Sequence, residues 1–367
     1  MARIQVVPLS TVMANLPDIH DLDSWSPRPA ECALFLCALG FEPRCLTIPG
    51  VLAGQQFKAA RAAYFQYATN RAENAVNLPR LLESLNSMSD SVAPLEVADQ
   101  EFPRRFRDLL DSTAKASRED EPLVVLDLSV ASNEIVMRSI NALLEFDLRL
   151  VVAYSEAAKY HPTREEYETD PERWKGPESL SLERGISNVT VSEEYPGYGF
   201  DQLPDCVILL AGFKKDRARA AFGKVDPSLL MLPDDKVLWL VGKPHLAEDS
   251  WRLDYMRWAN DLGERDPQYE VSTFDYKDSL RVLERIHLER ANRFRLALSA
   301  MGSKMQALGA ALFCYLRPDV RVVFVTPKEY NATLYSEGCT ATWMIDFGSL
   351  RRLREQLDEV GRLRIED

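Results

Sequence analysis

The sequence has little of what metal sites and disulfide frameworks require. Its 367 residues include four histidines, and none of them stands at a spacing typical of zinc ligands. None of the six cysteines forms a Cys-x-x-Cys pair, and most lie in apolar runs such as ALFLCALG and ALFCYL. We therefore expect free, buried thiols in a reducing cytoplasm, no metal site and no cofactor.

Long apolar stretches and an excess of basic residues are also missing. No apolar run approaches the ~20 residues that cross a bilayer, and the N-terminus lacks the basic start and continuous apolar core of a signal peptide. The net charge of -12 disfavours duplex DNA as a partner, because duplex binding depends on neutralising phosphates with Lys and Arg. We predict a cytoplasmic protein with neither a membrane nor duplex DNA as partner. One small basic pocket for a phosphorylated ligand stays compatible with this charge.

Strand-like and helix-like segments alternate along almost the whole chain. Continuous apolar runs, such as CALFLCAL at 32–39 and PLVVLDLS at 122–129, are typical of strands that are covered on both faces. Helical segments separate them, among them DYKDSLRVLERIHLERANRF, in which Asp275 or Asp278 is available as N-cap. Strands that alternate with helices predict an α/β fold with mostly parallel sheets and right-handed crossovers.

The two halves of the sequence resemble each other. CALFLCALGFEPRC in the first half corresponds to DCVILLAGFKKDRA in the second, and LDLSVASNEIVMRSINALL lies over LALSAMGSKMQALGAALF at a shift of 170 residues. We predict two Rossmann-like units related by internal duplication; two unrelated α/β units with the same texture are the alternative. The predicted divisions are a first unit at 1–165, a charged linker or insertion at 166–204, a second unit at 205–348 that includes the strand candidate TATWMIDFG, and a C-terminal helix at 349–367.

Ligands of open parallel sheets bind beyond the carboxyl ends of the strands, where helix N-termini favour anions. The stretch ALSAMGSKMQALGAALF at 297–313 is the sharpest example, because a Gly-Ser-Lys turn joins a strand to a helix. There Gly302 would let the backbone approach a ligand, Ser303 would supply a hydroxyl group, and Lys304 would supply a charge for phosphate. The alternative is a plain turn glycine, an N-cap serine and a solvated lysine.

Other turns and strand ends complete the predicted ligand-binding set. Its glycines could be ordinary turn residues, its arginines could lie on the surface, and its tyrosines, predicted to stack on a base, could simply be half-buried at strand ends. The predicted residues are Ser299, Gly302, Ser303, Lys304, Gln306, Gly212, Phe213, Arg217, Gly40, Phe41, Arg44, Ser129, Tyr160 and Tyr330.

Catalytic motifs are scarce. The Walker loop, the Gly-x-Ser-x-Gly elbow and His-Glu-x-x-His are all absent. The carboxylates Glu42, Asp127, Glu134 and Glu156 could form an acid–base or metal cluster, but nothing in their spacing is diagnostic. We assign no catalytic residue and favour a protein without enzymatic activity, with a phosphodiesterase or nucleotide hydrolase as an alternative.

The GSKM stretch at 302–305 and the paired layout resemble the CRISPR-associated Rossmann-fold (CARF) sensor domains and their fused, SAVED-type form in bacterial anti-phage effectors. The resemblance implies a protein of prokaryotic defence that binds a nucleotide or a cyclic or linear oligonucleotide signal. It also implies output through a separate protein partner or a homo-oligomer, since no nuclease domain is visible. The first half has Ser132-Asn133-Glu134 where the second has Gly-Ser-Lys, which implies an asymmetric ligand or one binding half. A non-catalytic docking subunit of a defence complex is the alternative.

Overall fold

A computed structural model describes residues 3–26, 28–175, 183–198, 202–231, 234–361 and 363–366. The chain divides into two compact units. The first consists of Met1–Ala131, Ala142–Tyr160 and Tyr335–Asp367, and the second consists of Ser132–Asn141 and His161–Leu334. Each unit is built on its own mostly parallel sheet with helices between the strands, which confirms the predicted fold class.

Strands and helices alternate along both units. The earlier strands are β1 (Arg3–Val6), β2 (His20–Asp21), β3 (Glu31–Ala38), β4 (Lys58–Gln66), β5 (Val92–Glu96), β6 (Leu123–Asp127), β7 (Arg149–Glu156) and β8 (Lys159–Tyr160). The later strands are β9 (Glu183–Val191), β10 (Asp205–Leu210), β11 (Val237–Lys243), β12 (Gln268–Ser272), β13 (Arg295–Ala300), β14 (Arg321–Tyr330), β15 (Ser336–Glu337), β16 (Ala341–Ser349) and β17 (Leu363–Glu366). The α-helices are α1 (Leu9–Met13), α2 (Thr47–Gly54), α3 (Arg71–Ala75), α4 (Leu78–Met88), α5 (Phe102–Ala116), α6 (Asn133–Leu143), α7 (Arg164–Thr169), α8 (Lys215–Val225), α9 (Trp251–Ala259), α10 (Tyr276–Arg290), α11 (Lys304–Leu316) and α12 (Leu350–Glu359).

The sheet of the first unit has the strand order β2-β16-β7-β6-β3-β4-β5. Strands β3 to β7 are mutually parallel, β16 runs antiparallel to β7, and β2 runs antiparallel to β16. All five residues of β6 are buried, as expected for an apolar strand in the middle of a sheet that is covered on both faces. Because β3 to β7 are parallel, their carboxyl ends lie at one edge of the sheet.

The sheet of the second unit has the order β12-β11-β10-β13-β14-β9, in which only β9 is antiparallel. Its parallel part, β12-β11-β10-β13-β14, repeats the order of β5-β4-β3-β6-β7 in the first unit, and an antiparallel strand follows on the same side in both sheets. This shared order is what a duplication would produce. Common ancestry of the two units stays a prediction, because strand order alone does not establish it.

The division of the chain differs from the predicted one. The segment TATWMIDFG, predicted to belong to the second unit, contains most of β16, which pairs with β7 in the sheet of the first unit. The predicted linker at 166–204 contains most of α7 and also β9, the antiparallel partner of β14. Residues 176–182 and 199–201 of that segment lie outside the described residues. At the C-terminus, α12 is followed by β17, which pairs with β1.

Helix α11 carries the Gly-Ser-Lys turn at its start, and close packing fixes its position. A β-carbon at Gly309 would lie 2.8 Å from the β-carbon of Ser279 on α10. The close neighbour of α11 at Gly309 is therefore α10. Among the described helices, none combines the length and the apolar character needed to cross a membrane.

Candidate functional site

The strand order of the second unit reverses direction between β10 and β13, and open α/β sheets bind ligands at such a switch point. The turns that follow these two strands are in contact. A β-carbon at Gly212, after β10, would lie 2.9 Å from the carbonyl oxygen of Met301, after β13. Asn260 Nδ2 donates to the carbonyl oxygen of Gly212 at 2.8 Å. Glycine at 212 thus allows the two turns to approach each other.

The Gly-Ser-Lys turn is held by a capping box at the start of α11. Ser303 Oγ accepts from the backbone N–H of Gln306 at 3.1 Å, and Gln306 Oε1 accepts from the backbone N–H of Ser303 at 2.9 Å. Ser303 Oγ also donates to the carbonyl oxygen of Thr273 at 2.6 Å, and Gln306 Nε2 donates to that of Val271 at 3.2 Å. In the structure, Ser303 is the N-cap of α11, as the alternative for this serine had it, and Gln306 completes the capping box.

Lys304 is the first residue of α11 and is half-buried. Its Nζ lies 3.5 Å from Oδ1 of Asn133, at the start of α6. Asn133 Nδ2 in turn donates to the carbonyl oxygen of Gly302 at 2.8 Å and to that of Ala300 at 3.3 Å. Asn133 therefore positions the lysine turn. Sequence reasoning missed this contact, although the alignment of the two halves places Asn133 at the position of Ser303.

Three lysines follow three neighbouring strands of this sheet. Lys243 ends β11, Lys214 follows β10 and Lys304 follows β13, and these strands are adjacent in the order β11-β10-β13. These strands are parallel, so the three residues lie at the same edge of the sheet, where neighbouring strands are about 4.8 Å apart. The N-terminus of α11 adds a partial positive charge. This edge is suited to an anion.

The lysines of this edge differ in their surroundings. Burial lowers the pKa of Lys214, and the nearby carboxylates of Glu183 and Asp216 act in the opposite direction. Lys215 Nζ forms an ion pair with Asp261 at 2.6 Å, which offsets its charge. Lys243 is exposed. Because burial penalises the charged form of Lys214, an anionic partner would stabilise this side chain more than it would a fully solvated lysine.

The other predicted residues of the second unit have structural roles in this geometry. Phe213 stacks on the buried Tyr255, with ring centroids 5.0 Å apart. Arg217 pairs with Glu183 at 2.6 Å and donates to the carbonyl oxygen of Val325 at 2.8 Å. Ser299 is 1% exposed, and its hydroxyl donates to the carbonyl oxygen of Val323 at 2.7 Å. Tyr330 ends β14 and lies opposite Glu183 in the strand ladder.

The corresponding edge of the first unit is filled by a buried polar network. Arg44 Nε pairs with Glu42 at 2.9 Å, and Arg44 Nη1 donates to the carbonyl oxygen of Ser155 at 3.1 Å. Ser155 Oγ donates to Ser129 Oγ at 2.8 Å, and Ser129 in turn donates to the carboxylate of Asp127 through both its hydroxyl and its backbone N–H. Burial raises the pKa of Asp127 to about 7, although the hydrogen bonds from Ser129 oppose this shift.

The remaining predicted residues of the first unit border this network. The guanidinium carbon of Arg44 lies 5.9 Å from the ring centroid of Tyr160, whose hydroxyl lies 3.1 Å from that of Tyr154. Phe41 contacts the ring of Tyr335 edge-on, with centroids 5.6 Å apart. A β-carbon at Gly40 would lie 3.0 Å from the side chain of Val130. The structure thus brings Arg44, Ser129 and Tyr160 together, but their polar groups bond to this chain's own residues.

The carboxylates considered for catalysis do not form a cluster that could hold a metal. Glu134 pairs with Arg138 at 3.1 Å, and Glu156 accepts from Trp343 Nε1 at 3.1 Å. Within the described ranges, no group of three or more His, Cys, Asp or Glu side chains is placed to bind a metal ion. All six cysteines are free; five are buried and Cys339 is exposed.

Comparisons with known proteins give a fold likeness and no family. No protein-family model matches the chain, and no curated protein matches it. The chain is similar to the structure of a Type III CRISPR defence DNA nuclease activated by cyclic oligoadenylate, with 11% identity and a TM-score of 0.47 over 79% of this chain. It spans 65% of that nuclease chain.

A second solved structure shows a more distant likeness. It is the cytoplasmic domain of a prokaryotic cation chloride cotransporter, with 9% identity and a TM-score of 0.25, over 83% of this chain and 99% of that one. At these TM-scores, neither likeness carries a conclusion about function.

Proposed function

We propose that the second unit binds a nucleotide or an oligonucleotide signal at the carboxyl edge of its parallel sheet. The observation that carries the proposal is the placement of Lys243, Lys214 and Lys304 at the carboxyl ends of the three adjacent strands β11, β10 and β13. In a chain of net charge -12, three lysines at the carboxyl ends of adjacent strands, beside the strand-order switch point, would favour an anion at this edge. Phosphate groups are the anions that lysine and a helix N-terminus bind together.

The first unit is proposed to be the structural half of the protein. At its corresponding edge, Arg44 is already paired with Glu42, and the buried carboxyl group of Asp127 would oppose an anion when ionised. A phosphate at that edge would have to break a buried ion pair, which typically costs several kcal/mol. The difference between the two edges supports the asymmetric arrangement that the sequence implied, with one binding half.

The proposed biological role follows from the sequence resemblance to the defence sensor domains. In this role, the protein binds a nucleotide signal during prokaryotic anti-phage defence and passes it to a protein partner or to a second copy of itself. The contacts of Asn133 with Gly302 and Lys304 offer a means of transmission, because they join α6 to the turn that would hold the phosphate. A ligand that pairs with Lys304 would change the surroundings of Asn133.

Isothermal titration calorimetry tests the proposal with a panel of AMP, ATP, linear oligoadenylates and cyclic oligoadenylates. We expect the wild-type protein to bind at least one member. Lys304→Ala should weaken that binding by about 10- to 100-fold, since hydrogen bonds to charged groups contribute about 1.5–3 kcal/mol.

Lys224→Ala is the matched control. Lys224 is an exposed lysine in the last turn of α8, away from the carboxyl ends of the strands, so its removal should leave the affinity unchanged. The proposal fails if the wild-type protein binds no member of the panel, or if Lys304→Ala binds as tightly as the wild type.

A further inference from the structure

A stacked aromatic pair lies at the same edge of the second sheet as the lysines. The rings of His245 and Phe274 have centroids 4.4 Å apart and an interplanar angle of 26°. His245 follows β11 and Phe274 follows β12, which are neighbouring parallel strands. His245 is exposed and Phe274 is half-buried. An imidazole ring is therefore held flat against a second ring at the surface.

Hydrogen bonds fix the turn that carries Phe274. Ser272 Oγ accepts from the backbone N–H of Phe274 at 3.1 Å and from that of Asp275 at 2.9 Å. Asp275 is the N-cap of α10 and accepts from the backbone N–H of Lys277 at 2.9 Å. The backbone N–H of Ser272 donates to Asp278 Oδ2 at 2.7 Å. These hydrogen bonds fix the turn that carries Phe274, and the ring of Phe274 packs against the imidazole of His245.

Thr273 connects this pair to both neighbouring lysine turns. Its backbone N–H donates to the carbonyl oxygen of Lys243 at 2.9 Å, and its carbonyl oxygen accepts from Ser303 Oγ at 2.6 Å. Ser303 immediately precedes Lys304 in the sequence. One residue therefore joins the turn that bears the aromatic ring to the two turns that bear cations.

We propose that His245, supported by Phe274, is the nucleobase subsite of the ligand that the lysines bind. The base stacks on the exposed imidazole, and the phosphates extend toward Lys243 and Lys304. Aromatic rings beside a cationic groove commonly bind nucleobases by stacking, without distinguishing one base from another. This inference rests on the proposed function and replaces the sequence-based expectation that Tyr160 or Tyr330 stacks the base. Tyr160 instead lies beside Arg44 and Tyr154.

Calorimetry with probes that carry a nucleobase, and with one that lacks it, distinguishes the base subsite from the phosphate site of the proposed function. The probes are ATP and a cyclic oligoadenylate, with inorganic tripolyphosphate as the probe that lacks a base. We expect His245→Ala to weaken nucleotide binding by about 5- to 100-fold, the range measured for removal of one stacking ring. Tripolyphosphate affinity should not change, and His245→Phe, which keeps a flat ring, should restore nucleotide binding to near the wild-type level.

A second test uses the wild-type protein, so it does not depend on whether a variant folds. The stacked base should move the proton NMR signals of the His245 ring upfield on addition of nucleotide, whereas tripolyphosphate should not produce this shift. The chain has only four histidines, so the signal can be assigned. An unchanged His245 signal in the nucleotide-bound wild type, or equal nucleotide affinity in His245→Ala, overturns the base subsite alone. Equal weakening of both probe classes also overturns it. Failure of the wild type to bind any nucleotide overturns the proposed function as well.

Discussion

The side-chain oxygen of Gln306 lies too close to Gly302 for a β-carbon there to fit without a shift. Gln306 is held in that place by the capping box with Ser303 and by its hydrogen bond to the carbonyl oxygen of Val271. The position of Gln306 therefore favours glycine at 302, whether or not a ligand approaches. The turn that presents Lys304 is preformed by these bonds.

Gly302→Ala should destabilise the protein by about 1–2 kcal/mol, because the methyl group displaces Gln306 and opens the capping box. Urea denaturation measures the change. Gly50→Ala is the matched control, since Gly50 lies in α2 with no atom within 4 Å of an added β-carbon. That substitution should stabilise the protein by about 0.5–1 kcal/mol. Equal stability of Gly302→Ala and the wild type would contradict the capping geometry.

Local features of this fold could be predicted from the sequence, and long-range pairings could not. Apolar runs at 32–39 and 122–129 coincide with β3 and β6, and Asp275 caps α10 as one of two candidates. The strand that pairs with β16, in contrast, could not be predicted from the sequence. Its pairing with β7 joins residues nearly two hundred positions apart, and nothing in its own alternation of residues identifies the sheet it joins.

The same limit applies to the candidate site. Serine, glutamine and arginine are equally suited to bind a ligand and to cap a helix or pair with a carboxylate, so a sequence pattern does not distinguish the two uses. Arg217 illustrates this, because its partner Glu183 lies on β9, in a segment predicted to be a linker.

The cysteines should differ sharply in reactivity. Burial raises the pKa of Cys45 and of Cys206 to about 12, and it also raises the pKa of Cys32, Cys37 and Cys314. Only Cys339 among the six is exposed. We expect Ellman's reagent to modify one thiol rapidly in the native protein and the other five only after unfolding, since the thiolate is the reactive form. Cys339→Ser should abolish the fast phase; a second fast thiol would show that one of the buried sites opens.

The lowered pKa of Lys214 predicts how nucleotide affinity depends on pH. Burial is the largest cause, and the charged form is the one that attracts phosphate. As pH rises above neutral, Lys214 loses its proton earlier than an ordinary lysine does, and affinity should fall. Lys214→Arg should retain its affinity over the same range, because arginine stays protonated. Calorimetric titrations from pH 7 to pH 10 measure the difference. Parallel curves for the two proteins would remove Lys214 from the proposed site.

The buried carboxyl group of Asp127 predicts a dependence of stability on pH that is independent of any ligand. Burial raises its pKa from 3.8 to about 7, so between these values the folded state binds a proton that the unfolded state has released. Stability is therefore lost as pH rises from about 4 to about 7, by about 2–4 kcal/mol for a shift of this size. Asp127→Asn, which has no charge and keeps an oxygen that accepts from the backbone N–H of Ser129, should not lose this stability. The variant should be more stable than the wild type at pH 8, with the difference shrinking toward pH 4. Urea denaturation across this range measures both profiles, and a constant difference between them would show that Asp127 does not titrate in this way.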